Sequence, residues 1–176
     1  MLTAVVELCA ERPYSELSIQ EVAQRAGMHE SALQQRWPTR AHLVLEAFTD
    51  QSGRRPAPEG ASLRDDLISL THQTARLFED PSHRQLTIAA LAACAELGLD
   101  YRGIDPPRQQ AINAIFERAT ARGDLPPTAN PPLMAQLLTG AVLHRLIILN
   151  EPVDEFVVEQ LVDIVIGPVP PGPSLN

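Results

Sequence analysis

Side chains that catalyse reactions are scattered along this chain. The five histidines fall in separate predicted elements, at His29, His42, His72, His83 and His144. The two cysteines, Cys9 and Cys94, lie far apart among apolar neighbours, and no histidine stands at metal-ligand spacing from them. The sequence has neither a glycine-rich phosphate loop nor a serine nucleophile elbow. We therefore expect no enzymatic activity, no metal, no cofactor and two buried thiols.

Side chains that hydrogen-bond to surfaces are instead concentrated in one short segment. That segment contains His29, Glu30, Ser31, Gln34, Gln35 and Arg36. If it is helical, Leu33 and Trp37 turn inward together, four residues apart, and the polar set faces outward. Amide, hydroxyl and guanidinium groups of this kind read base edges and phosphates in a DNA major groove. The helical pattern alone fits a plain three-helix packing unit with a solvated face equally well.

Helix signals on both sides of this segment explain how it would be positioned. Ser18 and Glu21 form a capping box at the start of a helix that ends near Gly27, where glycine permits a tight turn. The small Ala23 suits the point where this helix crosses the polar one. The pattern is that of a helix-turn-helix, braced by a first helix whose apolar face carries Leu2, Val5, Leu8 and Cys9.

Prolines mark the boundaries of the remaining elements. Sixteen prolines would damage regular structure if they fell inside it, and sustained alternation of apolar and polar residues is absent. The sequence therefore predicts an all-α fold. The predicted helices are Leu2–Arg12, Ser18–Ala26, Glu30–Trp37, Thr39–Gln51, Leu63–Asp80, Ser82–Leu97, Pro106–Arg122, Pro131–Asn150 and Val153–Ile166. The Ser82 and Gln85 pair is expected to cap the sixth of them.

The charge balance disfavours nonspecific attachment to polyanions. The formal net charge is -8, and all fourteen basic residues are arginine. Residues 1–60 carry six arginines against eight acids, net -2, and residues 61–176 carry eight against fourteen, net -6.

No uninterrupted apolar stretch approaches the roughly 18 residues that cross a membrane, and the N-terminus lacks a signal-peptide pattern. We expect a cytoplasmic protein without a membrane partner.

The N-terminal segment resembles the DNA-binding domain of the tetracycline-repressor (TetR) family. The matching residues are Glu11-Arg12-Pro13-Tyr14, Ser18-Ile19, Val22-Ala23, Ala26-Gly27, Leu33, Trp37, Thr39-Arg40 and Leu43, which span nearly all of residues 1–48. The segments 118–125, 140–146 and 151–154 are similar to the C-terminal domain of one branch of that family. The resemblance implies a three-helix helix-turn-helix domain followed by a helical ligand-binding and dimerisation domain.

The resemblance also implies how the chain would bind DNA. A homodimer would place its two recognition helices in successive major grooves of a pseudo-palindromic operator, and an effector would change their spacing. The expected function is therefore a ligand-responsive repressor. Ser18 and Thr39 would cap helices near phosphates, Gln20, Glu30, Ser31 and Gln35 would reach bases beside His29, and Gln34, Arg36 and Arg40 would sit near the backbone.

The second half of the chain is expected to bind an effector and a second copy of the chain. In Val153–Ile166 apolar residues cover most of the helix circumference, which indicates burial on more than one side. One side can face the subunit core and the other a partner, as the family's last two helices do. For an unknown small molecule, His72, Thr74, Thr87 and His144 are the candidate polar anchors.

The predicted organisation has four parts. Residues 1–48 form the DNA-binding domain, 49–62 the connecting helix end and linker, and 63–167 the effector-binding and dimerisation domain. Residues 168–176, rich in proline and glycine, form a disordered tail.

Departures from the family pattern support an alternative function. Ala32 and Gln34 replace the usual threonine and tyrosine, so two phosphate-positioning hydroxyls are missing. The sequence begins inside the first helix without the basic arm that usually precedes it, which predicts lower affinity and a shallower salt dependence. Pro13 and Cys9 replace glycine and phenylalanine and alter packing. The alternative is a dimeric all-α protein that binds small molecules and has weakened or lost DNA binding.

Overall fold

The all-α prediction is confirmed by a computed structural model that describes residues 1–52, 56–125 and 129–167. In these ranges the α-helices are α1 (Leu2–Glu11), α2 (Ile19–Ala26), α3 (Glu30–Arg36), α4 (Arg40–Ser52), α5 (Leu63–Glu79), α6 (Pro81–Leu97), α7 (Pro106–Arg122), α8 (Pro131–Leu143) and α9 (Glu155–Ile166). Short 3-10 helices lie at Tyr14–Glu16 and Tyr101–Ile104. The predicted tail, 168–176, and residues 53–55 of the predicted linker are outside the described residues.

The chain divides into two compact units that do not follow the order of the helices. The first unit comprises Met1–Arg55 and Glu79–Gln109, and the second comprises Pro56–Phe78 and Gln110–Asn176. Helix α6 therefore packs in the first unit with α1 and α4, although α5, which precedes it, belongs to the second. The predicted boundary at residue 63 divides the chain at the linker, whereas the first unit takes in α6 as well.

The core of the first unit joins four helices around large apolar side chains. Leu8, Leu33, Phe48 and Leu86 come from α1, α3, α4 and α6, and each is almost wholly buried. On α6 a series of small residues, Ala89, Ala90 and Ala93, is also buried in this core. Because alanine lets helix backbones approach closely, α6 can lie against two helices at once.

The cap predicted at Ser18 is confirmed, and the cap predicted at Ser82 is corrected. The side chains of Ser18, Asp105 and Asn130 each accept a backbone N–H three residues later. The Ser82 capping box is wrong. Asp80 caps α6 instead, accepting the Ser82 amide at 2.9 Å, and Pro81 occupies the first turn. Proline suits that position because its missing N–H is not needed there.

The last helical hairpin departs from the prediction at both sides of its turn. The eighth helix was predicted to continue to Asn150, but its α-helical part ends at Leu143 and a π-helix follows over His144–Leu149. Asn150 adopts the left-handed conformation, with φ 53°, and ends the helix. The ninth helix begins at Glu155 rather than Val153, because the Asp154 carboxylate caps it by accepting the Val157 amide at 2.9 Å.

One helical stretch among the described residues, Pro131–Leu149, is long and apolar enough to cross a membrane by length and composition. Core helices of soluble proteins meet the same criterion, so this is weak support for a membrane span. Polar residues interrupt the stretch, among them Gln136, Thr139 and Arg145. The stretch comprises α8 and the π-helix that follows it.

The second unit is held at one end by a buried carboxylate. The Asp66 side chain, on α5, is fully buried and accepts the Gly60 amide at 2.6 Å. Arg118 and Arg122, both on α7, each donate to it at 3.3 Å. Arg118 also donates to the Pro58 carbonyl. One carboxylate thus joins the segment before α5 to α7, and its burial is compensated by two cations.

We predict that Asp66→Ala destabilises the protein by about 2–3 kcal/mol, because removing it leaves the Gly60 amide and two arginines without their shared acceptor. The loss stays at the lower end of the range for buried ion pairs since both arginines are about one-third exposed. Urea unfolding followed by circular dichroism measures the change. Asp65→Ala, at the exposed neighbouring carboxylate, serves as the control and is expected to cost under about 1 kcal/mol. Equal effects of both variants would contradict the prediction.

Candidate nucleic-acid interface

The turn between α2 and α3 is built from local interactions. At the start of α2, the Ser18 hydroxyl accepts the Glu21 amide at 3.2 Å and donates to the Glu21 carboxylate at 2.9 Å. At the end of α2, Gly27 adopts φ +64° and the Met28 amide donates to the Ala23 carbonyl at 2.9 Å. A side chain at Gly27 would strain this left-handed conformation, so glycine there sets the direction in which α3 leaves the turn.

Helix α3 is oriented by two buried side chains. Leu33 is fully buried and Trp37, directly after the helix, is 5 % exposed. The polar residues predicted to face outward are all exposed: His29, Glu30, Ser31, Gln34, Gln35 and Arg36. Gln20, on α2, is exposed as well. The structure therefore brings most of the predicted DNA-contacting side chains onto one exposed helix face.

Two contacts on α3 engage predicted backbone-contacting residues. Gln34 donates its amide N–H to the Glu30 carboxylate at 2.8 Å, along one turn of the helix. Arg36 donates to Glu46 of α4 at 3.1 Å, and its guanidinium lies 4.6 Å from the centre of the Trp37 ring. Glu46 also accepts the Trp37 indole N–H at 2.6 Å. Glu46 therefore anchors the end of α3 to α4 and partly neutralises Arg36.

The residues that follow α3 are engaged in local contacts too. The Thr39 hydroxyl lies 2.9 Å from Nδ1 of His42. Arg40 donates to the Ser15 carbonyl at 2.9 Å and to the Glu96 carboxylate at 3.3 Å. Tyr14 completes this set, which we call the Arg40 cluster and define as Tyr14, Ser15, Arg40 and Glu96. The Tyr14 hydroxyl donates to Glu96 at 2.8 Å, and the Arg40 guanidinium lies 4.7 Å from the Tyr14 ring centre.

The electrostatics of the Arg40 cluster follow from these contacts. Hydrogen bonds from Tyr14 and Arg40 lower the pKa of the Glu96 carboxyl. Burial, and the hydrogen bond to Glu96, raise the pKa of the Tyr14 hydroxyl to about 12. Contacts with Tyr14 and Glu96 raise the pKa of Arg40. At neutral pH the cluster thus holds one carboxylate and one guanidinium, whose charges cancel.

Sequence reasoning did not identify Glu46 and Glu96 as partners of the interface. Glu96 is 56 residues from Arg40 and lies on a helix that the sequence assigned to another domain. No local pattern could have revealed this pair. Glu46 lies nine residues from Trp37, and its position on α4 was the only available signal.

Ion pairs fix α1 against α2 behind the interface. Arg25 donates to both carboxylate oxygens of Glu11, at 2.7 and 2.8 Å, and also approaches Glu7. Arg12 pairs with Glu21. The hydrogen bond from Arg25 lowers the pKa of Glu11, and hydrogen bonds from Ser18, followed by the charge of Arg12, lower that of Glu21. Both carboxylates are thus more acidic in the folded chain.

The candidate effector-binding residues lie in different settings. The Thr74 hydroxyl is buried and donates to the Leu70 carbonyl at 2.8 Å. Thr87 is buried in the first unit and donates to the His83 carbonyl at 3.0 Å. His72 is half-buried on α5, and His144 is exposed at the start of the π-helix. Thr87 belongs to the first unit and the other three to the second.

A cleft in the second unit lies elsewhere. Its volume is about 480 Å³. The residues lining it are Ser62, Leu63, Arg64, Asp124, Asp163, Ile166 and Gly167. None of the candidate effector-binding residues is among them.

The two thiols are buried, as predicted, and neither is activated as a nucleophile. Burial raises the pKa of Cys9 to about 11, and burial together with Asp100 raises that of Cys94. A thiol with a raised pKa carries little reactive thiolate at neutral pH. Over the described parts of the chain, no group of three or more His, Cys, Asp or Glu side chains is placed to hold a metal ion.

Family comparisons divide the chain in two. Residues 1–47 match the model of bacterial regulatory proteins of the tetR family. Residues 57–165 match the model of a tetracyclin repressor-like C-terminal domain. The two matches meet at the linker and together cover most of the chain.

Individual relatives agree with the family matches. An uncharacterized HTH-type transcriptional regulator of Mycobacterium tuberculosis is 30% identical over 174 residues, covering 96% of this chain and 85% of the relative. A crystal structure of a TetR family transcription regulator is 30% identical, with TM-score 0.71 and 96% of both chains covered. The Bacillus subtilis regulator FadR in complex with stearoyl-CoA shares the fold, with TM-score 0.70 and 14% identity over 96% of this chain and 97% of that one.

We predict that Ser18→Ala costs about 1 kcal/mol of stability, because the first turn of α2 loses its cap. It also raises the pKa of Glu21 toward its ordinary value, since hydrogen bonds from Ser18 lower that pKa. The stability contributed by a lowered carboxyl pKa is complete above the unfolded value of 4.5 and is lost as the pH falls through the folded value. The variant therefore loses less stability on acidification than the unmodified chain.

Urea unfolding between pH 3 and 7, with Glu21 titrated by NMR, measures both effects. Ser31→Ala is the matched control because Ser31 is exposed on α3 and caps no described helix. An unchanged Glu21 titration in Ser18→Ala would contradict the prediction.

Proposed function

Because the chain belongs to the TetR family of transcriptional regulators, we propose that it binds a pseudo-palindromic DNA operator as a homodimer. We propose further that it represses transcription in the cytoplasm until a small-molecule effector binds its second unit. The observation that carries the proposal is the exposed polar face of α3, held in place by Leu33 and Trp37. That face has the size and chemistry of a helix that enters a major groove.

Within this interface the side chains divide by chemistry. The Gln35 amide can pair with an adenine edge, and Ser31 can donate to or accept from a base. Arg36 is 68% exposed and can meet a phosphate by exchanging its contact with Glu46. Arg40 lies four residues beyond Arg36 and can do the same. In this proposal phosphates position the helix and the amides specify the sequence.

The net charge of -8 shapes how tightly DNA would bind. Arg36 and Arg40 each have a carboxylate partner within the protein, at 3.1 and 3.3 Å. A phosphate must therefore replace an existing contact of each guanidinium, and the gain in energy is smaller than for a free cation. We expect specific binding to exceed nonspecific binding through base contacts rather than through strong phosphate attraction.

The dimer proposal rests on apolar side chains that the described chain leaves exposed. They are Leu133, Leu137 and Ile148 along α8 and the π-helix, and Phe156 and Ile164 on α9. Ile148 is 70% exposed, Phe156 66% and Ile164 76%. The sequence predicts that α9 is buried on more than one side. Within the subunit, only Val158 and Val162 of this helix are buried. A second copy of the chain would cover the remaining apolar face.

The effector proposal rests on the family of the second unit. The Bacillus subtilis FadR structure contains stearoyl-CoA, but at 14% identity it supports a common fold and not a common ligand. We propose a small-molecule effector without assigning its class. His72, Thr74 and His144 are the polar anchors proposed in this unit, and Thr87, which belongs to the first unit, is not among them.

We predict that a random duplex pool, enriched on the purified protein, yields a palindromic site. Gln35→Ala lowers affinity for that site by about 1–3 kcal/mol, because one base contact is lost. It leaves binding to unselected duplex nearly unchanged, since phosphate contacts remain. Gln110→Ala, at an exposed glutamine on α7, is the matched control and keeps full affinity.

Failure to enrich any site at low salt would contradict the DNA-binding proposal. A dimer that enriches no site would support the alternative, a helical small-molecule-binding protein. The exposed Ala32 on α3, where a hydroxyl is absent, is the observation that favours this alternative.

We predict that Ile164→Glu converts the dimer to a monomer, because an ionised carboxylate cannot be buried unpaired in an apolar interface. Sedimentation equilibrium over a range of concentrations measures the oligomeric state. Leu99→Glu places the same charge on another exposed apolar residue, after the end of α6, and leaves the dimer intact. A monomeric unmodified chain, or a dimer unaffected by Ile164→Glu, would show that α9 is not the interface.

A further inference from the structure

The Arg40 cluster links the start of α4 to a carboxylate on α6. Arg40 is the first residue of α4 and follows the end of α3 by four positions. Glu96 is next to the last residue of α6, and both residues belong to the first unit. The guanidinium and carboxylate are 3.3 Å apart. An acidic side chain thus lies directly beside one of the few cations available to the proposed interface.

Glu96 and a DNA phosphate require the same group. The contacts with Ser15 and Glu96 use two of the five N–H groups of the Arg40 guanidinium. The side chain is 35% exposed, so further N–H groups can reach solvent. The Glu96 carboxylate nevertheless cancels the cation's charge at close range, and it would repel a phosphate that approached the same guanidinium.

Tyr14 stabilises the contact between Arg40 and Glu96. Its hydroxyl donates to the carboxylate that Arg40 contacts, and its ring faces the guanidinium. Three groups from α4, α6 and the 3-10 helix Tyr14–Glu16 therefore hold one another. These contacts hold the Arg40 side chain in one conformation. To bind a phosphate, the guanidinium must break its contact with Glu96 or bind both groups at once.

Resting on the proposed DNA binding, we propose that Glu96 is a positioning residue that restrains Arg40 and weakens the protein's attachment to DNA phosphates. The carboxylate competes with phosphate for the guanidinium, so it lowers sequence-independent binding. Base contacts from α3 are unaffected by this competition. Base contacts therefore supply a larger share of the binding free energy at a specific site.

The test compares the full chain with Glu96→Gln on random-sequence duplex, by fluorescence anisotropy over a range of salt concentrations. Glutamine retains an oxygen that accepts from Tyr14 and Arg40, and it removes only the charge. The variant is expected to bind more tightly, with a salt slope steeper by about 0.9, as for one added phosphate contact. Its affinity advantage should grow about threefold when salt falls from ~200 to ~50 mM.

Three further variants separate the proposed effect from others. Glu16→Gln and Glu117→Gln change the net charge equally, one within the 3-10 helix that carries Tyr14 and one on α7, and both should leave the slope nearly unchanged. Glu96→Gln combined with Arg40→Ala should lose the gain, because the effect acts through Arg40. A purely structural role for Glu96 would change the urea midpoint without steepening the salt slope.

The outcomes distinguish this inference from the proposed function. If the unmodified chain binds duplex and Glu96→Gln leaves the slope unchanged or makes it shallower, the role assigned to Glu96 is wrong and the proposed function stands. An equal gain from Glu16→Gln would also overturn it, since the effect would then be one of general charge. If neither chain binds duplex at any salt concentration, the proposed function fails, and the inference fails with it.

Discussion

The burial of Leu33 and Trp37 is the constraint on which the interface depends. These two side chains leave α3 one orientation on the core of the first unit. The indole N–H of Trp37 would be costly to bury alone, and Glu46 accepts it at 2.6 Å. The same carboxylate contacts Arg36, so the polar face of α3 is fixed by packing inside and by one acid at its end. Side chains on a rigid helix can specify a base sequence because their positions do not vary.

Charge compensation recurs throughout the first unit. Arg12, Arg25, Arg36 and Arg40 each have a carboxylate partner, and these pairs join helices rather than neighbouring turns. Exposed ion pairs contribute little stability, so their main consequence is electrostatic. In this member of a DNA-binding family, the arginines near α3 are paired with carboxylates of the protein itself. The proposed interface therefore depends on geometry and hydrogen bonding more than on positive charge.

The second unit differs from the first in two features, a buried charge and an exposed apolar face. Near Asp66 it buries a charge and satisfies it fully with one amide and two arginines. Along α8 and α9 it leaves large apolar side chains exposed, and Arg145 fixes the turn between those helices through Glu151 and the Pro152 carbonyl. The buried carboxylate joins α7 to the segment before α5 within the unit. Covering the exposed apolar face would be favourable because it removes apolar surface from water.

The sequence by itself determined the helices, the turn and the polar face. Their signals are local: Ser18 caps within three residues, Gly27 supplies a left-handed turn, and Leu33 and Trp37 repeat at helical spacing. Such signals depend on backbone geometry over a few residues, which a sequence displays directly. The π-helix at His144–Leu149 and the Asp80 cap were not predicted, because residues 144–149 look helical in either form and two acceptors stood near one helix start.

Only the tertiary structure decided which helices pack together and which charges meet. Helix α6 lies in the first unit with α1 and α4, and this brings Glu96 to Arg40 across 56 residues of chain. It also places Thr87 in the first unit, whereas the other candidate effector-binding residues belong to the second. Contacts of this kind arise from the summed burial of apolar faces, and many pairings of amphipathic helices satisfy the same pattern in sequence. Their partners therefore cannot be identified until the chain is folded.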